Sequence, residues 1–307
     1  MSPLGRKLRL VLLATLFAAP AAAAEPVAQW SFEGRDALGT WQGKPQLTGA
    51  GPRTPRYPGF NDKNRAASFS GSTIALLTKP DAPDSPLLAF RQGEAITLET
   101  WVRVRAINEG QEVYVIAKGP VFGAGQHNYA LRLRGTDDGV QIGFQFSALS
   151  PGSPTPTSHR WWSREGFEFP AGWHHIAISY VFGDPTSVRG LIDGRTVTGD
   201  WEGDGPTTQP PFQAPGDLVI GAGYDTEKSS SFNGWLDEVK IHRGAVPPGT
   251  LASRYAFSPP PLSVPAKLIP GQVVIEVCEK DVAEANGWPE GGVATETFTE
   301  DAFGVFE

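Results

Sequence analysis

Cysteine is nearly absent: of 307 residues only Cys278 carries a thiol, so no disulfide can close within the chain and its stability has to come from burial. Methionine also occurs once, at the start. Beyond the first 24 residues there is no apolar run approaching the ~20 residues needed to span a bilayer as a helix, which excludes a helical membrane span from the body of the chain. A basic excess is missing too. Residues 271–307 hold nine acids and one lysine, net −8, so the remainder carries −7 − (−8) = +1. Nucleic acid is thereby an unsuitable partner, since phosphate binding needs a cationic surface.

What is present begins with MSPLGRKLRLVLLATLFAAPAAAAEP, in which Arg6, Lys7 and Arg9 precede a short apolar core and a small-residue stretch ending at Ala24. This pattern predicts an export signal over 1–24 and a mature chain that starts near Glu25 outside the cytoplasm: periplasm, cell surface or medium. The 36 glycines and 28 prolines punctuate the rest and suit many short strands.

Period-two alternation supplies those strands. In AITLETWVRV, Ile96, Leu98, Val102 and Val104 share one face, and Glu99, Trp101 and Arg103 the other. NYALRLR, VQIGFQFS and HHIAISYVF repeat the pattern, while Asp138-Gly139 and Asp193-Gly194 fall where tight turns would join neighbouring strands. Half-buried antiparallel strands of this kind predict an all-β sandwich of two stacked sheets. PPGTLASRY near residue 250 predicts one short helical turn. SPPPLSVPAKLIPG reads as a Pro-rich linker over 258–270, and 271–307 as an acidic tail with QVVIEVCEK as a strand, which either packs on the sandwich or, the favoured reading, is the truncated start of a second domain.

Four ordered segments resemble the laminin-G-like jelly-roll family of the concanavalin A-like lectin/glucanase superfamily. They are ITLETWVRV, NYALRLR with VQIGFQF, GWHHIAISY with GLIDGRTV, and DLVIGAG with FNGWLDEVKIHRGAVPPGTLASRY. The resemblance covers residues 27–255, sets a jelly-roll domain at 25–257, and implies two antiparallel sheets, one of them concave. It also implies a recognition or adhesion module that binds a carbohydrate or an extracellular protein. Fold alone names no ligand.

FNGWLDEVKIH places Asp237 at the same parity as Trp235, Val239 and Ile241, and a carboxylate on an apolar face needs compensation. By position, the resemblance points to structural calcium held by Asp237, Glu33 and the carbonyl of Gly71. The alternative is a carboxylate that simply accepts backbone N–H bonds at a strand bend. For a glycan, the surface opposite the core would offer Trp101, Arg132, Gln145 and His175, with Trp161 and Trp162 from a loop in SHRWWSREG. The competing reading gives the tryptophans to sheet packing and loop anchoring.

Zinc is disfavoured, because adjacent His174 and His175 point to opposite faces of a strand. The strands within 25–257 carry no E-x-D-x-E or E-x-D-x-x-E pair of the superfamily's glycoside hydrolases, K-I-H at 240–242 lacks the glutamine of the related lyases, and no G-x-S-x-G elbow occurs. The sequence therefore favours a non-catalytic module over its rivals, a spacer domain without a ligand or a divergent hydrolase or lyase.

Overall fold

A computed structural model describes residues 25–33, 40–42, 46–71, 75–77, 87–119, 127–149, 152–170, 172–222, 230–258, 273–277 and 294–298. The expected signal (1–24), nearly all of the linker, and the tail apart from two short strands lie outside the described residues.

In chain order the elements are β1 (Pro26–Trp30), β2 (Thr40–Gln42), β3 (Gln46–Ala50), β4 (Arg65–Ser70), β5 (Ala75–Leu77) and β6 (Ala95–Val104). Then follow β7 (Glu112–Lys118), β8 (Tyr129–Thr136), β9 (Gly139–Ala148), β10 (Thr157–Phe167), β11 (His174–Val181) and β12 (Asp184–Ile192). The chain continues through β13 (Arg195–Val197), β14 (Gly199–Gly203), β15 (Leu218–Ile220), β16 (Asn233–Arg243), α1 (Pro248–Arg254), β17 (Val273–Val277) and β18 (Ala294–Phe298). One sheet runs β13-β12-β11-β6-β16-β4-β3, with β1 also paired to β16, and the second runs β14-β10-β9-β8-β7-β15-β5-β2. Their ladders are antiparallel, so the expected pair of antiparallel sheets is present. β17 and β18 pair with each other.

Burial explains the stacking. Ile96, Leu98 and Val102 of β6 and Ile176, Ile178 and Tyr180 of β11 meet Leu131, Leu133, Ile142, Phe144 and Phe146 of the second sheet in one core. Phe144 and Phe146 each lie 5.2 Å from Tyr180, ring centre to ring centre, in tilted contacts of the kind aromatic side chains favour. The outer face of the first sheet is covered as well. Tyr57 and Trp173 pack on Trp101, and Val246 and Leu251 pack on Ala177 and Leu191, so α1 and the 51–60 segment close that side.

Three local expectations change. Asp193 (φ 50) and Gly194 (φ 77) form the tight turn between Ile192 and Arg195, as read from the sequence. In the β8–β9 hairpin, however, the turn is Asp137-Asp138, and Gly139 pairs with Thr136. SHRWWSREG is strand β10 rather than a loop; Trp161 enters the core and Trp162 faces out. Finally, Trp235, Asp237, Val239 and Ile241 do not share a face. The β16–β6 register shifts between Asp237 and Lys240, where Glu238 adopts φ 47. This bulge inverts the parity. Leu236, Val239 and Ile241 join the core, while Trp235 packs outside with Trp101, to which Asp237 is register partner.

Candidate functional site

The open side of the sandwich is the outer face of the second sheet. β7, β8, β9, β10 and β14 lie side by side there, and alternation turns their polar residues outward: Glu112, Arg132, Arg134, Gln145, Arg160 and Glu202. Arg132 donates from Nη1 to Gln145 Oε1 at 2.7 Å and pairs through Nη2 with Glu112 Oε2 at 2.7 Å. Arg134 bridges Glu112 (2.9 Å) and Glu202 (2.6 Å), and Arg160 stands 3.9 Å from Glu112. A depression of about 490 Å³ opens over Arg132, Gln145, Glu112 and Arg160, with Ser158 and Asp204 at its rim.

The aromatic rings beneath serve the guanidinium groups. Arg132 lies 4.4 Å over Tyr114, and Arg134 lies 4.1 Å over Trp162. Trp162 is only 3% exposed, because Gly143 admits its ring from below: a Cβ at Gly143 would stand 2.4 Å from it. Trp162 is thus a support for Arg134, not an open stacking platform. The face presents fixed charged donors and acceptors. Hydrogen bonding from Arg134 holds the Glu202 carboxyl below its ordinary range, the opposite of what a general acid requires.

Of the residues expected on a ligand face, Arg132, Gln145 and Trp162 come together here. Trp161 lies in the core, and Trp101 and His175 lie on the other side of the sandwich. Their rings sit 5.3 Å apart beneath the covering segment. His175 Nε2 reaches Glu99 Oε1 and His242 Nε2 reaches Glu99 Oε2, both at 3.0 Å, and Arg254 of α1 also donates to Oε2. Burial works to raise the Glu99 carboxyl, but the hydrogen bonds from His175 and His242 outweigh it and hold the group well below the usual carboxylate range. Sequence reasoning missed Glu112, Arg134 and Arg160. Glu112 and Tyr114 alternate with Val113 and Val115, which was the available signal.

Asp237 is wholly buried. Its Oδ2 accepts from Asn64 Nδ2 at 2.6 Å and its Oδ1 from the Glu238 backbone N–H at 2.7 Å. Burial pushes its carboxyl up to about 8; the Asn64 hydrogen bond opposes this, while the charges of Glu238 and Glu33 add to it. Each carboxylate oxygen retains a lone pair, so Asp237 and Glu33 offer the hard oxygen donors calcium takes. Gly71 does not join them: it lies about five strand positions from the point opposite Asp237, on the order of 16 Å at ~3.3 Å per residue. Among the described residues, no three His, Cys, Asp or Glu side chains converge as a metal set. The E-x-D-x-x-E spacing does occur once, at Glu279, Asp281 and Glu284, in the tail and outside the described residues.

A family model, Laminin_G_3 of the concanavalin A-like lectin/glucanases superfamily, matches residues 78–252. No curated protein matches the sequence. Among solved structures, domain 4 of AbnA, a GH43 extracellular arabinanase from Geobacillus stearothermophilus, in complex with arabinotriose, is 18% identical with a TM-score of 0.45, over 76% of this chain and 100% of that one. The CBM40 of Ruminococcus gnavus IT-sialidase bound to α2,3 sialyllactose is 11% identical with a TM-score of 0.42, over 62% of this chain and 96% of that one. The binding domain of botulinum neurotoxin serotype D is 12% identical with a TM-score of 0.48, over 75% of this chain and 50% of that one.

Proposed function

The chain belongs to the concanavalin A-like lectin/glucanases superfamily, and from that membership we propose that it is an exported, non-catalytic recognition module whose second-sheet face binds a carbohydrate. The observation that carries this reading is the Arg132–Gln145–Glu112–Arg160 network. Four polar side chains from four adjacent strands are held around an open depression, with their guanidinium and carboxylate groups already oriented. Vicinal hydroxyls of a sugar both donate and accept, and they suit such an alternating array. Preorganisation lowers the cost of binding, since Arg132 is fixed between Tyr114 and its two partners before any ligand arrives.

The test is a glycan and polysaccharide array probed with the whole mature chain. The expected result is binding that Arg160→Ala weakens about tenfold, a loss within the range of one charge-assisted contact. A blank array, or binding that Arg160→Ala and Arg132→Lys leave untouched, overturns the assignment.

We further propose that Asp237 and Glu33 hold a structural calcium ion, with backbone carbonyls and water completing its shell. Beyond burial, the charges of Glu238 and Glu33 help raise the Asp237 carboxyl, and a dication would relieve that repulsion. Calcium added to metal-stripped protein at about pH 8 should raise Tm, and Asp237→Asn should abolish the rise. An unchanged Tm at saturating calcium removes the ion from the description.

A further inference from the structure

A second cleft, of about 600 Å³, lies at the end of the sandwich where β10 leaves the second sheet and β11 enters the first. It is larger than the depression on the arginine face and shares no lining residue with it. One wall is aromatic. Tyr255 and Phe257 stack nearly parallel, 6.4 Å apart, and Phe257 packs on Tyr57 at 5.7 Å, with Arg56 over its ring at 5.2 Å. The Tyr57 hydroxyl anchors this wall by donating to the Trp173 carbonyl (3.0 Å) and accepting from the Trp173 N–H (2.9 Å). Phe257 is 39% exposed, the third large apolar side chain so placed among the described residues, beside Leu87 and Leu149, and it alone of the three lines a cleft described here.

The other wall is polar and rigid. His174 stacks on Phe167 at 4.5 Å, and its Nδ1 pairs with Asp193 Oδ2 at 2.7 Å. Asp193 Oδ1 accepts the His175 N–H at 2.9 Å, so both oxygens of the carboxylate are engaged and the imidazole has one orientation. Arg195 comes from the same hairpin, and Glu165 and Glu168 from the end of β10. Beneath them the Trp173 indole N–H is buried and has no acceptor among the described residues.

We propose that this cleft is a second binding site, separate from the arginine face, and that it takes a neutral oligosaccharide. The balance of charge selects neutrality. Arg56 and Arg195 offset all but one of the charges of Glu165, Glu168 and Asp193, so the lining is close to neutral and an anion gains no net attraction on entry. The aromatic wall matches the apolar C–H faces of sugar rings, and the opposite wall matches hydroxyls through carboxylate acceptors and a guanidinium donor. The volume lies within the range of pockets that enclose a small ligand of a few rings. The proposal stands whether or not the arginine face binds anything.

The experiment is a ¹H–¹⁵N NMR titration of the whole mature chain with the trisaccharides of glucose, xylose, arabinose and mannose, and with tri-galacturonate as the charged comparison. Saturable shifts of the Gly166 and Gly172 amides and of the Trp173 indole N–H are expected with at least one neutral probe. Phe257→Ala and Arg195→Ala, both at exposed positions, should each weaken that titration about tenfold, and Arg160→Ala should leave it unchanged. No shift at these three groups with any neutral probe at about 10 mM overturns the site. Shifts produced by tri-galacturonate alone overturn the neutral assignment.

Discussion

Glu99 and His242 meet across β6 and β16 with Oε2 and Nε2 3.0 Å apart, and neither side chain is more than 2% exposed. His175 and Arg254 converge on the same carboxylate, so one acidic group organises two strands of the first sheet and the helix that covers it.

Removing that carboxylate should therefore be costly. Glu99→Ala leaves buried imidazoles and a guanidinium facing one another, and a loss of about 3–5 kcal/mol in urea unfolding is expected, with a smaller loss for Glu99→Gln, whose amide oxygen still accepts. An alanine variant within about 1 kcal/mol of the parent would show that the cluster contributes little.

Asp237 sets a pH dependence of the opposite sign to that of a salt-bridged acid. In the fold its carboxyl keeps a proton to about 8, whereas the unfolded chain releases it near 3.8. Between those values the unfolded state binds fewer protons, so stability falls as pH rises through the window. Metal-free protein should lose Tm from about pH 4 to pH 8, and Asp237→Asn, which never ionises, should flatten that slope.

Gly143→Ala tests how closely the arginine face is built. Its Cβ would stand 2.4 Å from the Trp162 ring, close enough to displace it and the Arg134 stacked above. Overpacking of about 1–3 kcal/mol is expected in urea unfolding, accompanied by weaker glycan retention.

Arg132→Lys keeps the charge and discards the fork that reaches Gln145 and Glu112 together. The variant should remain folded and bind array ligands about tenfold more weakly. Equal binding would mean that charge alone suffices.

Alternation alone revealed most of the sandwich, because β6, β8, β9 and β11 each turn alternate apolar residues into the core. It failed where the chain departs from period two. The bulge at Glu238 turned Trp235 and Asp237 outward, and β10 was obscured by its own register shift between Trp162 and Gly166, which breaks the pattern after two adjacent tryptophans. Parity also cannot say which sheet a strand joins. Trp101, His175, Arg132 and Gln145 share the property of facing away from the core, yet the first two end beneath the 51–60 segment and Tyr255, and the other two form the largely buried floor of the depression on the second sheet. The Glu99 cluster was out of reach for a related reason: His175 and His242 are far apart in sequence and meet only because β11 and β16 flank β6.

The covering of the first sheet also fixes a polarity for the whole module. Phe257 rests against Arg56 and Tyr57 in a cleft that shares no residue with the arginine face, so the last described residues of the sandwich lie apart from that face.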